Sequence, residues 1–118
     1  MPPFSFEKLI VWQKARKLVV AVYRALEDFP GKEKYGLSSQ ISRAAVSITA
    51  NIAEGSVRFS QKEKARFYEI AFGSAIEVLS HLIISKELGY IKEEQLATFR
   101  AQIVEITKML SALNKGKR

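Results

Sequence analysis

The stretch from Leu37 to Gly55 decides the fold of this chain, and it reads LSSQISRAAVSITANIAEG. Its apolar side chains recur every three or four residues, the spacing of one face of an α-helix: Leu37, Ile41, Ala44, Ala45, Ile48 and Ile52. The opposite side carries small side chains, and only Arg43 and Glu54 are charged. A helix with one face in water normally carries more charge. We therefore predict a helix over residues 37–54, ended by Gly55, that packs on its own domain and on a second subunit.

Three further segments show the same helical period. The first ends at Phe29-Pro30-Gly31, because proline disfavours a helical conformation at the residue before it, and Ser5 is its candidate N-cap. The third opens with Ser60 and Glu63 at capping-box spacing, and Gly89 is expected to end it in the left-handed conformation. Apolar residues cover almost half of its circumference, which indicates a second packing surface. The four predicted helices span about residues 6–28, 37–54, 60–88 and 92–113.

The length of the chain limits it to one domain. Its 118 residues fall within the roughly 100–200 residues of a typical domain, so we assign residues 1–118 to a single unit. Long helices joined by short loops pack as antiparallel neighbours. The predicted fold class is therefore all-α, an antiparallel up-down-up-down four-helix bundle.

The charge balance favours anionic partners. Lys and Arg number 19 against 12 Asp and Glu, which gives a formal net charge of +7 and a pI near 9.8. Such an excess attracts polyanions, nucleic acid above all, although it also serves solubility alone. No uninterrupted apolar run of about 18 residues is present, and the first residues lack a signal-peptide pattern. We expect a cytoplasmic protein without a membrane partner.

The sequence offers little for catalysis. It has no cysteine, which excludes disulfides, Cys-ligated zinc and thiol chemistry. Its one histidine, His81, follows Glu77 by one helical turn, but two ligands do not complete a metal site. A surface or hydrogen-bonded histidine is the simpler interpretation. We expect no enzymatic activity, no catalytic residues, no metal and no cofactor.

Polar residues along one flank of the second predicted helix are more informative. Each is costly to bury without a partner. We interpret them as groups that fix the helix register or a subunit joint. Together with the small or apolar residues placed at that joint, and with one carboxylate of the third helix, the candidate interface residues are Gln40, Val46, Ser47, Ala50, Asn51, Glu54 and Glu77.

Two carboxylates in this set have more specific expectations. Glu54 lies beside a helix end, where it can pair with Arg58 or accept N–H bonds from the following loop. Glu77 lies in a run of small and apolar residues and is a candidate buried carboxylate. A binding pocket formed by Asn51, Glu54 and Glu77 is the alternative to a purely structural role.

Basic side chains are the candidates for nucleic-acid contact. A bundle has no groove-reading motif, so such contacts would be to phosphates and would not read base sequence. Two aromatic residues, Phe59 and Tyr68, lie near basic ones and could stack on unpaired bases, although a place in the core or an interface is the commoner role. The candidate phosphate contacts are Lys14, Lys17, Arg24, Arg43, Arg58, Lys62 and Arg66.

Five motifs together resemble the bacterial four-helix bundle proteins encoded in intervening sequences of 23S ribosomal RNA genes. The resemblance extends over nearly the whole chain, and its middle motif is long and specific. The motifs are FEKLIVWQKA at residues 6–15, FP at 29–30, YGLSSQISRAAVSITANIAEG at 35–55, IAFGSAIE at 70–77 and LGYI at 88–91.

This resemblance implies an assembly and partners. It implies that the bundle forms a ring-like homopentamer, and that the chain is related to the accessory variability determinant of diversity-generating retroelements, a basic pentamer that binds nucleic acid and a reverse transcriptase. By that analogy we expect a non-enzymatic homo-oligomer that binds structured RNA or DNA through phosphate contacts. The alternative is a protein-interaction scaffold, or an accessory subunit of a nucleic-acid enzyme such as a reverse transcriptase, without nucleic-acid binding of its own.

Overall fold

The computed structural model describes residues 4–115, and within them the chain forms four long α-helices. Successive helices pack side by side, α4 returns to α1, and in the described part of the chain no Cα atoms of the diagonal pairs α1–α3 and α2–α4 lie within 8 Å of each other. This arrangement confirms the predicted all-α four-helix bundle. The elements are a 3₁₀ turn at Ser5–Lys8, α1 at Ile10–Leu26, a 3₁₀ turn at Gly31–Glu33, α2 at Leu37–Ser56, α3 at Gln61–Glu87 and α4 at Glu93–Lys115.

The start of the first helix differs from the prediction of one helix over residues 6–28. The backbone N–H of Phe4 donates to the Glu7 carboxylate, with N and Oε2 2.6 Å apart, and this bond closes a separate 3₁₀ turn. Leu9 then adopts an extended conformation before α1 begins at Ile10. Ser5 is therefore not the N-cap of α1, because it lies within the 3₁₀ turn and the extended Leu9 separates that turn from the helix.

Gly55 lies inside α2 and does not end it, contrary to the prediction. A Cβ atom at Gly55 would lie 2.8 Å from Cε1 of Tyr68, so the two helices approach closely only because this residue lacks a side chain. The last carbonyls of α2 are satisfied from α3. Nζ of Lys64 donates to the carbonyl oxygens of Gly55 and Ser56, at 3.3 and 2.9 Å.

Both ends of α3 carry the predicted signals. The Ser60 side chain accepts from the Glu63 N–H at 3.1 Å, which confirms Ser60 as the N-cap. Gly89 has φ +83°, and the N–H of Tyr90 donates to the carbonyl of Ser85 at 2.8 Å, so the predicted left-handed cap is also confirmed. The bounds of α3 and α4 differ from the predicted ones by one or two residues.

The core lies between the four helices and is built from the apolar stripe of each. Burial of such side chains is the main favourable term in folding. Ser85 is the fully buried polar residue among them, and its hydroxyl donates to the His81 carbonyl at 2.8 Å. The largest fully buried apolar side chains are Leu18, Val22, Ile41, Ile48, Ile52, Val78, Leu82, Ile103, Ile106 and Leu110.

Glu33 joins the α1–α2 connection to the α3–α4 connection. The Tyr90 hydroxyl donates to Oε2 of Glu33 at 2.9 Å, and the Leu37 N–H donates to Oε1 at 3.1 Å. The Leu37 N–H and the Tyr90 hydroxyl hold the pKa of Glu33 below its usual range. The same carboxylate raises the pKa of Tyr90, with a further contribution from loss of hydration.

By length and composition alone, α3 is apolar enough to cross a membrane. A core helix of a globular bundle can have the same composition, and α3 does supply Tyr68, Val78 and Leu82 to the core. Only 33% of its most apolar window is buried, however. Of the other apolar residues of α3, Phe72, Leu79 and Ile83 are half-buried against the core. Ile70, Ile76 and Ile84 are exposed on the surface of the single chain.

Candidate interaction surfaces

The outer sides of α2 and α3 form an apolar surface that we call the α2–α3 face. Its members lie three or four residues apart, so they share one side of each helix. Val46 is 43% exposed and Ile76 is 47% exposed, and the charged members of the face are Arg43, Glu54 and Glu77. The α2–α3 face comprises Gln40, Arg43, Val46, Ala50 and Glu54 of α2 and Ile70, Gly73, Ile76, Glu77, Ser80 and Ile84 of α3, all exposed.

A line of polar contacts runs along the seam between these two helices. The hydroxyls of Ser47 and Ser74 share a hydrogen bond of 2.8 Å. Nδ2 of Asn51 donates to the Ser47 carbonyl at 2.8 Å and to its hydroxyl at 3.0 Å. The Ser47–Ser74 bond joins α2 to α3, whereas the two Asn51 bonds lie within α2 and hold Ser47. Ser47 and Asn51 therefore have partners within the chain, while Gln40 lies exposed beyond them.

The carboxylates of this region are bonded separately and do not meet in a pocket. Glu54 pairs with Arg58, as one of its two predicted roles requires. Oε2 of Glu77 lies 3.4 Å from Nε2 of His81, and the Glu77 side chain is 49% exposed. In the single chain Glu77 is thus not buried, contrary to the prediction, because its position faces outward from the α2–α3 pair. Asn51 bonds only to Ser47 among the described residues.

No metal site is present in the described residues, since no three His, Asp or Glu side chains there lie close enough to share an ion.

Charge is distributed unequally along the bundle. One half, here the loop half, contains residues 19–45 and 75–103, and its seven basic side chains are matched by seven acidic ones. The other, here the terminal half, contains residues 4–18, 46–74 and 104–114, with nine basic against five acidic side chains. The sequence then adds Lys115, Lys117 and Arg118, whose side chains lie outside the described residues. Among residues 4–114, the positive excess therefore lies entirely in the terminal half.

The predicted phosphate contacts fall into separate groups. Arg58, Lys62 and Arg66 lie at the α2–α3 turn, whereas Lys14 and Lys17 lie on α1, diagonally across the bundle from α3. Two of these side chains, Lys14 and Arg58, already contact other residues of the chain. Nζ of Lys14 lies 3.2 Å from a Glu105 carboxylate oxygen, and the Arg58 guanidinium bonds to Glu54 and lies over the Phe67 ring. Lys62 and Arg66 are exposed and one helical turn apart.

Arg24 and Arg43 belong to neither group. Both are exposed and lie in the loop half, Arg43 on the α2–α3 face. Arg24 lines a shallow groove between α1 and α4, beside Asp28 and Gln102. The structure therefore brings together three of the seven predicted basic residues.

The two aromatic candidates, Phe59 and Tyr68, differ in burial. Tyr68 is buried in the core, where burial raises its pKa, which confirms the commoner of its two expected roles. Phe59 is fully exposed. Sequence reasoning did not identify Ser74 or Lys64 as contacts of α2. A Lys near the end of a neighbouring helix is a known signal for carbonyl capping, but nothing local in the sequence pairs Ser74 with Ser47.

Fold and surfaces together define a small basic four-helix bundle with an apolar outer face on its central hairpin. The sequence matches the family described as 23S rRNA-intervening sequence protein over residues 7–112. The chain belongs to this family, as its motifs predicted.

A solved structure supports the same assignment. The chain is similar to the crystal structure, at 1.70 Å resolution, of a protein with unknown function from the S23 ribosomal protein family of Bacteroides thetaiotaomicron VPI-5482. The two share 28% sequence identity with a TM-score of 0.81, and the match covers 90% of this chain and 99% of the other. No curated protein matches the chain. Neither the description of the family nor that of the neighbour names an enzymatic activity.

Proposed function

We propose that this protein is a non-enzymatic, cytoplasmic homo-oligomer that binds structured RNA or DNA through phosphate contacts. The observation that carries the proposal is the concentration of the positive excess in the terminal half. A net charge that served solubility alone would not need to be confined to one end. A localised basic surface attracts the phosphate backbone and releases its counterions.

Assembly increases this effect. The α2–α3 face exposes the large apolar side chains Val46, Ile70, Ile76 and Ile84, and a second copy of the chain is the occupant that we propose for it. The family resemblance implies five copies in a ring, which would bring about five times the +7 charge of one chain into a single particle. If every copy has the same orientation relative to the ring axis, all terminal halves lie on one side of the ring.

The test compares two charge-reversal variants with equal changes in net charge. Lys62→Glu with Arg66→Glu alters the terminal half, and Lys32→Glu with Lys92→Glu alters the loop half. Affinity for a labelled RNA hairpin is measured by filter binding over a salt series. We expect the first pair to weaken binding at least about tenfold and to lower the salt slope by about one per lost phosphate contact, and the second to change affinity less than about threefold.

Two results would contradict this proposal. If wild-type protein retains neither RNA nor DNA at low salt, the function is wrong. If both variants weaken binding equally, binding follows the total charge and the terminal half has no special part.

A second candidate function is an accessory subunit for a nucleic-acid enzyme such as a reverse transcriptase. It is favoured by the groove between α1 and α4, a concave surface lined by Arg24, Asp28 and Gln102. Charge reversal at Lys14, Lys17 and Arg24 tests it. Loss of enzyme binding with nucleic-acid affinity unchanged would favour this candidate over the first.

A further inference from the structure

The turn between α2 and α3 presents a phenylalanine to solvent. Phe59 is fully exposed, and Val57 beside it is 54% exposed. A large aromatic side chain without any cover loses hydrophobic stabilisation that it would gain in a core. Its position is therefore one that the fold of the single chain does not require.

The turn itself is held firmly on both sides of Phe59. Arg58 bonds to Glu54 and lies 4.7 Å from the centre of the Phe67 ring. Ser60 caps α3, and Lys64 bonds to the last carbonyls of α2. A ring on a fixed turn loses little conformational freedom when it binds, so it is suited to stacking.

Basic side chains outnumber acidic ones near Phe59 in the sequence, although the exposed Glu63 lies between Lys62 and Arg66. Lys62 and Arg66 follow it on the first two turns of α3, and both are exposed. The turn also belongs to the terminal half, which holds the positive excess of residues 4–114. An exposed ring beside unpaired cations is the combination by which proteins hold single strands, with bases on the ring and phosphates on the cations.

We infer that Phe59 stacks on an unpaired nucleobase while Lys62 and Arg66 contact the adjoining phosphates. This inference rests on the proposed function and narrows its substrate class to single-stranded or looped nucleic acid. In a duplex each base is stacked between its neighbours, so an aromatic side chain reaches only bases in loops, bulges and ends.

Tyr35 supplies an internal comparison. It is 88% exposed, and Nζ of Lys34 lies 5.5 Å from its ring centre. It lies in the loop half, where basic and acidic side chains are equal in number. A ring next to a cation is thus present at both ends, and only the charge of the surrounding half distinguishes them. Tyr35→Ala is therefore the matched control.

Fluorescence anisotropy with a labelled single-stranded RNA 12-mer and a blunt RNA duplex of the same length tests the inference on the full chain. Phe59→Ala is expected to weaken single-strand binding about tenfold, within the range measured for loss of one base stack. Phe59→Leu should lose as much, and Phe59→Tyr should bind like wild type. The salt slope should not change, because no phosphate contact is removed. Duplex affinity, and every affinity of Tyr35→Ala, should stay within about twofold.

The opposing outcomes are distinct. Unchanged single-strand affinity in Phe59→Ala, or full affinity in Phe59→Leu, overturns stacking, while a loss of binding in the Lys62 and Arg66 variant keeps the proposed function. A wild type that binds neither RNA overturns both proposals. Phe59-dependent sedimentation with phosphatidylserine vesicles, without Phe59-dependent RNA affinity, shows a membrane contact and overturns stacking. A smaller particle mass for Phe59→Ala would place the ring in a subunit contact and overturn it as well.

Discussion

The two outer faces of the bundle have different compositions although each is formed by two helices of similar length. Between Ile70 and Ser85 on α3, Glu77 is the one residue with a formal charge at neutral pH. On the outer side of α1 and α4, charges recur on every turn or two: Arg16, Lys17 and Arg24 on α1, Glu27 directly after it, and Glu94, Arg100, Glu105 and Lys108 on α4, all exposed. The second pattern is typical of a face that remains in water.

The helices α3 and α4 differ in how far apolar residues extend around the helix. For α4 the apolar stripe is narrow and is used up by the core. For α3 the core takes one side, and apolar residues continue around to Ile76 and Ile84, which are exposed. A single chain provides no cover for this second side, so we attribute it to contact with another copy.

The largest expected effect is on assembly. Val46→Glu places a charge on the α2–α3 face and should reduce the particle to single chains, because a charge buried without a partner is strongly destabilising. Val46 is 43% exposed in the chain, so the fold itself should persist. Light scattering measures the mass, and Ala50→Glu should act alike.

Val20→Glu is the matched control for that change. Val20 is 45% exposed on α1, outside the α2–α3 face. Its substitution should leave the particle mass unchanged. Equal masses for the Val46 and Val20 variants would mean that the two faces do not differ in the way proposed here.

Two glycines sharpen the comparison within the α2–α3 pair. Gly55→Ala should lower the free energy of unfolding by about 1–3 kcal/mol through overpacking, because its Cβ would meet Tyr68 and Phe67. Gly73 has no atom within 4 Å of a Cβ position, so Gly73→Ala should stabilise α3 of the single chain by about 0.5–1 kcal/mol. It should also weaken assembly by keeping copies apart.

Urea unfolding of each glycine variant in a Val46→Glu background measures the two changes in the free energy of unfolding without assembly. The concentration at which Gly73→Ala dissociates in the otherwise wild-type protein measures its effect on assembly. A Gly73 variant that assembles more tightly than its parent would remove Gly73 from the contact between copies.

A smaller effect is expected where α1 meets α4. The Lys14–Glu105 pair is largely solvent-exposed, with side chains 38% and 53% exposed. Lys14→Ala should lower the free energy of unfolding by less than about 1 kcal/mol, since exposed ion pairs contribute little. The loss should shrink further in high salt. A loss several times larger, measured by urea unfolding, would show that this face is shielded from water.

The smallest effect concerns the bond that links the two helix pairs through their connections. The pKa of Glu33 is lowered from 4.5, so its contribution to stability is present above about that pH and is lost as pH falls through the lower folded value. The pKa of Tyr90 is raised from 10.0, so its contribution is present below that pH and is lost as pH rises through the higher folded value.

Thermal melting over pH measures both limbs. Glu33→Gln should lie below wild type at neutral pH and approach it in acid, and Tyr90→Phe should approach wild type in alkali. A constant difference between Glu33→Gln and wild type across the acid range would show that the bond does not titrate as described.

Local signals predicted much of this fold because helices and their caps depend on residues close in sequence. The Ser60 cap and the Gly89 turn were predictable from three- or four-residue patterns. Gly55 was not, because its role depends on close approach of Tyr68 from the next helix. The Glu33–Tyr90 bond joins residues 57 positions apart, and no local pattern indicates such a pair.

The candidate surfaces were predictable to a lesser extent. The scarcity of charge on α2 indicated an exposed apolar face before any coordinates, and the exposure of Val46 agrees with it. Residue type and helical position predict the seven basic candidates, and the four-residue spacing predicts the Glu54–Arg58 pair. They do not predict that Glu105 of α4 engages Lys14 of α1. The concentration of charge in the terminal half depends on how the antiparallel helices align, and no local pattern in the sequence indicates it.

The mass of the unmodified protein in dilute solution shows whether copies of the chain assemble through the α2–α3 face. Sedimentation equilibrium should give several copies of the 13.3 kDa chain, and five if the ring applies. A stable species of 13.3 kDa at every concentration would show that the α2–α3 face needs no partner copy, and would contradict the account.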